Sequence, residues 1–320
     1  MNSETSGFEP NASGIAPKQS EYIPPLKLSD GNEIPMLGYG LGTARSKRGN
    51  KDELDEKIIN DTLTAIKNGY YHLDGAEFYG NESELGAAIA RCGVPRAKLF
   101  ITTKTSCLPG ESIETAFSRS LAKLGLDYVD LYLIHSPFWA SSPADLQQKW
   151  TEMEALKDAG RARSIGVSNF LREHLEAVLA TPGGGPRHPP VVNQIEFHPY
   201  LQHDDDGGLV AFHREKGIAV QAYSPLTAVT KAAPGPVDEV YERVAKKYGV
   251  TPGEVALRWC LDQGIVAVTT SSNEQRLKEW MTRLPLFKLT PKEVGEISER
   301  GKEKHFRGFW NKEFAEDDRR

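Results

Sequence analysis

Four polar residues of complementary chemistry stand at or near the ends of short apolar runs. Asp74 ends the run 71–74, and Tyr79 follows five residues on. Lys104 ends the run 99–104, and His135 ends the run 128–135. Taken singly, each has an ordinary explanation: an aspartate as a cap, a lysine as a solvated charge, a histidine as a hydrogen-bonded structural residue. Taken together at one rim they form a set. An ammonium beside a phenol favours the phenolate and lowers the tyrosine pKa from about 10. An aspartate beside that lysine keeps the ammonium charged. A neighbouring histidine can orient a carbonyl oxygen and share the proton load. This is equipment for giving a proton to an oxygen while a hydride reaches its carbon, and no metal is expected. His198, His203 and His213 show no metal-ligand spacing.

Residues at such run ends meet only if the runs are neighbouring strands. Eight short apolar runs recur, at 36–42, 71–74, 99–104, 128–135, 162–168, 191–197, 218–224 and 265–270. Amphipathic stretches separate them, such as Ile58/Ile59/Leu63/Ile66, Ile113/Phe117/Leu121/Leu124 and Leu171/Leu175/Val178/Leu179. Helix starts are read at Lys51 or Asp52, at Ser142-Pro143 and at Thr251-Pro252. Eight strand-then-helix units imply parallel strands joined by crossovers, and such units close into an α/β (β/α)8 TIM barrel whose chemistry sits at the carboxyl ends of the strands. Residues 24–34 read as an N-terminal β-hairpin turning at Asp30-Gly31. An open doubly wound sheet is the alternative. The cluster Gly38-Tyr39-Gly40-Leu41-Gly42 is not GxGxxG and opens no helix, so the pyrophosphate-cradling fingerprint of such a sheet is missing. These glycines mark a strand that something approaches closely.

The 320 residues are 39% hydrophobic and 26% charged, an ordinary soluble composition. The net charge of −5 leaves no basic surplus for a phosphate backbone, so nucleic acid is not an expected partner. No apolar run approaches the roughly 20 residues of a membrane helix, and no signal peptide is visible, so a cytoplasmic protein without a membrane partner is expected. Cys92, Cys107 and Cys260 are odd in number and far apart, which suits reduced thiols. Asn11, Asn60 and Asn81 begin N-x-S/T triplets that read as chance matches. Residues 1–20, rich in Ser, Gly and Pro, read as a disordered tail before a single domain at 21–320.

The chain resembles the aldo-keto reductases over about residues 25–310. The run Gly69-Tyr-Tyr-His-Leu-Asp74-Gly-Ala-Glu-Phe-Tyr79-Gly-Asn-Glu82 resembles the family's GYRHIDTAxxYxNE. Leu131-Tyr-Leu-Ile-His135-Ser-Pro resembles LYLIHWP. Gly166-Val-Ser-Asn-Phe170, Val192-Asn-Gln-Ile-Glu-Phe-His-Pro199 and Ala222-Tyr-Ser-Pro-Leu226 are further family stretches. The resemblance implies a barrel with an extra C-terminal helix and loop. It implies Tyr79 as general acid, supported by Asp74, Lys104 and His135. It implies NADPH, with Gly42, Thr43 and Asp74 near the cofactor and Ser168, Asn169 and Gln194 on the nicotinamide carboxamide. Tyr223 would stack on the nicotinamide ring, and Ser224, Pro225 and Leu226 would line the pyrophosphate path. Thr270, Ser271, Ser272 and Arg276 would form the 2′-phosphate site, and Glu279 would reach the adenine.

Thr270 stands where the family often has lysine, and Trp280 where it often has asparagine, so NADH is expected as a weaker second cofactor. The run Val268-Thr-Thr-Ser-Ser272 and the tail His305-Phe-Arg-Gly-Phe-Trp310 resemble an NADPH-linked branch of mostly fungal keto-reductases. Members of that branch reduce diketones, α-keto amides, aldehydes and keto esters, so a small carbonyl compound is the expected substrate. Ala44 replaces a frequent Tyr or Trp and leaves a roomier mouth, with Phe78, Trp139 and Trp310 as candidate walls beside His135. A monomer or weak dimer is expected. A rival reading is a cofactor-binding regulatory subunit of a channel with little turnover. Steroid double-bond reduction is disfavoured, because in that variant glutamate replaces the catalytic histidine.

Overall fold

The computed structural model of the protein describes residues 23–47, 53–203 and 208–320. The expected tail at 1–20 lies outside the described residues. All eight apolar runs form strands, which close into a parallel barrel in chain order, the last strand lying beside the first. The hairpin precedes it. β1 (Leu26–Lys27) pairs antiparallel with β2 (Glu33–Ile34), and Gly31 takes the positive φ of 89° that the turn requires.

The chain divides into two compact units. One holds Leu28–Asn32 and Gly38–Asn193, the other Glu33–Leu37 and Gln194–Arg320 with the described residues before Leu28. The first unit carries β3 (Leu37–Gly40) from Gly38 on, α1 (Glu56–Lys67), β4 (His72–Asp74), α2 (Glu82–Arg91), β5 (Phe100–Thr105), α3 (Ile113–Leu124), β6 (Val129–Ile134), α4 (Pro143–Asp158), β7 (Ala162–Ser168) and α5 (Arg172–Leu179). Every residue of β5 and β6 is buried, which is why these strands read as continuous runs instead of alternating ones. Helix α3 shows how sequence becomes packing. Ser112 caps its first turn by accepting from the Thr115 N–H, and Gly125 ends it in the left-handed region at φ 65°. Ile113, Phe117, Leu121 and Leu124 are buried, as their spacing predicts, each contributing about 1.5–3 kcal/mol. Gly166 in β7 is required by close approach, since a Cβ there would lie 2.5 Å from the Val192 carbonyl oxygen.

The second unit carries β8 (Val192–Glu196) from Gln194 on, α6 (Leu209–Lys216), β9 (Ala219–Tyr223), α7 (Asp238–Tyr248), α8 (Pro252–Leu261), β10 (Val266–Thr269), α9 (Glu274–Arg283) and the extra C-terminal helix α10 (Pro291–Lys302). The read starts at Ser142-Pro143 and Thr251-Pro252 are capping boxes, closed by Asp145 and Glu254. The start read at Lys51 or Asp52 lies outside the described residues. Helix α1 begins at Glu56, and its cap is Asp55, whose carboxylate accepts from the Lys57 and Ile58 N–H groups.

Candidate active site

In the first unit, β4 and β5 lie side by side with Asp74 opposite Thr102, and β5 and β6 with Lys104 opposite Leu133. This register places Asp74, Lys104 and His135 at the carboxyl ends of three neighbouring strands, and the His135 N–H donates to the Thr105 carbonyl at 3.0 Å. The Lys104 ammonium is fully buried. It donates to Asp74 Oδ1 at 2.6 Å, to the Gly75 carbonyl at 2.8 Å and to Tyr79 Oη at 3.3 Å. Its Nζ also lies 4.9 Å from the Tyr79 ring centroid. Tyr79 closes a short helical turn, Glu77–Tyr79, that Gly80 ends at φ 70°. The His135 ring meets the Tyr79 ring edge-on, 5.5 Å between centroids. Gly42 leaves room for the phenol, because a Cβ there would lie 3.2 Å from Tyr79 Oη. The structure thus brings the four expected residues together.

The electrostatics of this cluster correct one expectation. Burial raises the Tyr79 phenol above its ordinary value, and the Lys104 ammonium, which pulls it down, does not overcome burial. The phenol is therefore held protonated through the neutral range, the state a proton donor needs. Burial pulls the Lys104 ammonium down, but Asp74 and then Tyr79 more than offset this, and it stays charged. Burial, and after it Lys104, push the His135 imidazole down to about 3. The expected sharing of the proton load by His135 narrows accordingly: a ring neutral at pH 7 can donate a hydrogen bond but holds no spare proton.

Around this cluster in the same unit, Asn169 follows β7 at φ 60°, and its amide donates to the His135 carbonyl at 2.8 Å and to Ser168 Oγ at 3.0 Å. Thr43 and Ala44 are exposed on the turn after β3. Phe78 is 74% exposed and meets His135 edge-on at 6.1 Å. Trp139 is half-buried, and its indole N–H has no hydrogen-bond partner among the described residues.

The second unit carries the remaining candidates. Gln194 is buried on β8. Tyr223 ends β9, half-buried, and the Phe309 ring stands perpendicular to it at 5.3 Å. Ser224 takes a left-handed φ of 56°, and Pro225 and Leu226 lead into a helical turn at Thr227–Val229. Thr270 Oγ1 is buried with no partner among the described residues. Ser271 Oγ accepts from the Asn273 N–H at 3.0 Å, and Asn273 caps α9 by accepting from the Arg276 N–H. Ser272 and Arg276 are exposed. Among the described residues the Arg276 guanidinium has no ion pair. Glu279, three residues on, is instead engaged by Gln275 at 3.0 Å and Arg283 at 3.6 Å. Trp310 follows a tail segment held by Glu196, whose carboxylate accepts from the Gly308 and Phe309 N–H groups.

Three supporting residues went unread in the sequence. Asn81 donates to the Leu41 and Arg45 carbonyls, both at 2.8 Å, and so ties the loop of Tyr79 to the turn of Gly42. Its place in the run 69–82 was a usable signal. Glu77 and Glu196 lie beside assigned residues, but only tertiary partners reveal what they hold.

Residues 38–301 match the profile of the Aldo/keto reductase family. The chain is 39% identical over 280 residues to an NAD/NADP-dependent indole-3-acetaldehyde reductase of Schizosaccharomyces pombe, a match covering 87% of this chain and 96% of that protein. It is 36% identical to an NADPH-dependent alpha-keto amide reductase of Saccharomyces cerevisiae, over 89% of this chain and 93% of that one. Among solved structures, a Bombyx mori aldo-keto reductase in complex with NADP is similar at a TM-score of 0.75 and 34% identity, over 88% of this chain and 94% of that one.

Proposed function

Because this chain belongs to the aldo/keto reductase family, we propose that it reduces aldehydes and activated ketones, such as α-keto esters, diketones and keto amides, to alcohols with NADPH. The observation that carries the reading is the buried Lys104 ammonium held between Asp74 and the protonated Tyr79 phenol, beside a neutral His135. A regulatory subunit with little turnover gains no support, since the relatives named above are reductases. The expected cytoplasmic location and the monomer or weak dimer stay part of the proposal. No helix among the described residues is long and apolar enough to cross a membrane.

The residues present fit the cofactor. An exposed arginine without a carboxylate partner stands in the first turn of a capped helix, which suits a phosphate. Ser271, Ser272 and Arg276 would hold the 2′-phosphate, with Thr270 adding a hydroxyl and Glu279 reaching the adenine. Ser224, Pro225 and Leu226 would line the pyrophosphate path, Tyr223 would stack on the nicotinamide, and Ser168, Asn169 and Gln194 would hold its carboxamide, with Gly42 and Thr43 nearby. NADPH, when bound, supplies the hydride. The chain's own residues handle the proton. Tyr79 gives its phenol proton to the carbonyl oxygen, and the Lys104 ammonium stabilises the phenolate left behind. Asp74 keeps that ammonium charged, and the neutral His135 ring donates a hydrogen bond that orients the carbonyl. Ala44, Phe78, Trp139 and Trp310 would border the substrate.

NADPH oxidation against a panel of aldehydes, α-keto esters, diketones and sugars tests the reading, repeated with NADH. Activated carbonyls are expected to exceed xylose and glucose in kcat/KM. Phe78 offers an apolar surface, and a mouth with few evident polar groups discriminates little in favour of a polyol. A sugar turned over best would overturn the substrate class. Arg276→Ala is expected to weaken NADPH about ten- to a hundredfold, the value of a charge-assisted hydrogen bond of about 1.5–3 kcal/mol, and to leave NADH nearly unchanged. Fluorescence titration with both cofactors checks this, and equal losses would show that Arg276 does not read the 2′-phosphate.

A further inference from the structure

The turn that carries Tyr79 is held by more than its own backbone. On one side its Tyr79 carbonyl accepts from the Lys47 N–H at 2.8 Å, which ties it to the segment after β3. On the other side the tie is a side chain. Glu77, the first residue of the turn, accepts from the Ser106 N–H at 3.2 Å, two residues beyond Lys104. The Glu77–Ser106 bond therefore spans the same two segments as the 3.3 Å contact between Tyr79 Oη and Lys104 Nζ, in parallel with it. The Glu77 carboxylate is only 11% exposed and is neutralised by Arg119, which projects from α3. Arg119 in turn donates to both carboxylate oxygens of Glu111, in the segment between β5 and α3, one of them at 2.9 Å. One guanidinium thus joins the Tyr79 turn, the segment after Lys104 and a helix, using the planar fork that suits two carboxylates.

We propose that Glu77 and Arg119 are positioning residues for the proton transfer: they set the distance between the Tyr79 phenol and the Lys104 ammonium. The proposal rests on the reading of Tyr79 as general acid. Neither residue touches the reacting atoms. Their effect passes through the turn, and a shift of about 1 Å at a reacting group can cost about a hundredfold in rate. Removing Arg119 leaves Glu77 and Glu111 as like charges that have lost their shared cation, so the turn is pushed from Ser106 and the phenol from Lys104.

The test compares Arg119→Met, Glu77→Gln, the double variant and Tyr79→Phe with the unmodified enzyme. Arg119→Met is expected to lose about ten- to a hundredfold in kcat, with NADPH affinity by fluorescence unchanged. Its profile of alcohol oxidation against pH should move to higher pH, because a phenol further from the ammonium is harder to ionise. Glu77→Gln keeps an acceptor for the Ser106 N–H and should lose less. The double variant removes the repulsion and should recover part of the Arg119→Met loss. Folded Arg119→Met and Glu77→Gln with unmodified kcat and pH profile overturn the proposal, as does a loss of kcat with an unmoved profile, which marks a merely structural role. Tyr79→Phe separates the two layers: if it stays active, the acid assignment fails; if it is inactive while the brace variants are unaffected, only the brace fails.

Discussion

Tyr79→Phe is expected to lower carbonyl reduction by about 10²–10⁴-fold, the contribution of a positioned general acid, while NADPH binding stays nearly unchanged. The argument is one of subtraction. The substitution keeps the ring, and with it the edge-on contact to His135 at 5.5 Å and the place beneath the Lys104 ammonium. It removes only the hydroxyl. Lys104 then loses one of three hydrogen bonds and keeps those to Asp74 and the Gly75 carbonyl, so no buried charge is stranded. Loss of that one hydrogen bond costs about 1.5–3 kcal/mol at most, a modest change in thermal midpoint. Steady-state turnover, a melting curve and a cofactor titration on one preparation separate chemistry from folding and binding. A folded variant that binds NADPH and still reduces an α-keto ester at the original rate would remove the phenol from the mechanism.

The strands were legible because parallel strands are buried on both faces, so each announces itself as a short apolar run bounded by polar segments. The polar residues that end those runs were legible for the same reason: Lys104 and Asp74 break an apolar pattern where a strand has no structural need for charge. Helix starts were legible where cap and proline coincide, as at Ser142 and Thr251. The start of α1 was not. Several acidic residues precede it, and Asp55 takes the role partly because its own N–H donates to Glu84 at 3.0 Å, a contact 29 residues away that no local pattern carries.

The chemistry of the cluster was only half legible. The sequence names the neighbours of Tyr79 but not the depth at which they sit, and burial decides the direction of its shift against the pull of Lys104. The same holds for His135, whose basicity falls because it is enclosed. Arg276 shows the reverse case. Spacing alone allowed a pair with Glu279 three residues on, and the structure gives Glu279 to Gln275 and Arg283 instead. The brace of Glu77, Arg119 and Glu111 had no signature at all. Surface charges on amphipathic stretches are common, and only the fold selects these three.

Lys104→Met is expected to reduce turnover on the order of 10²-fold or more, the scale of losing one preorganised group aimed at developing negative charge. Two further effects distinguish this from loss of the acid itself. The ammonium lowers the phenol's pKa against burial, so its removal raises that pKa further. Alcohol oxidation needs the phenolate as base and should therefore require higher pH, whereas Tyr79→Phe has no such limb to move. The second effect is on stability. Lys104 and Asp74 form a fully buried pair at 2.6 Å, and removing one partner of such a pair costs about 3–5 kcal/mol because the other charge is left without compensation. Asp74→Asn added to Lys104→Met removes that stranded charge. The double variant is expected to melt higher than Lys104→Met alone and to stay largely inactive: neutralising Asp74 removes one charge that raises the phenol's pKa, but restores no cation to stabilise the phenolate. Recovery of turnover along with stability would mean that Lys104 serves the fold and not the proton transfer; an unmoved pH profile in the single variant would lead to the same conclusion.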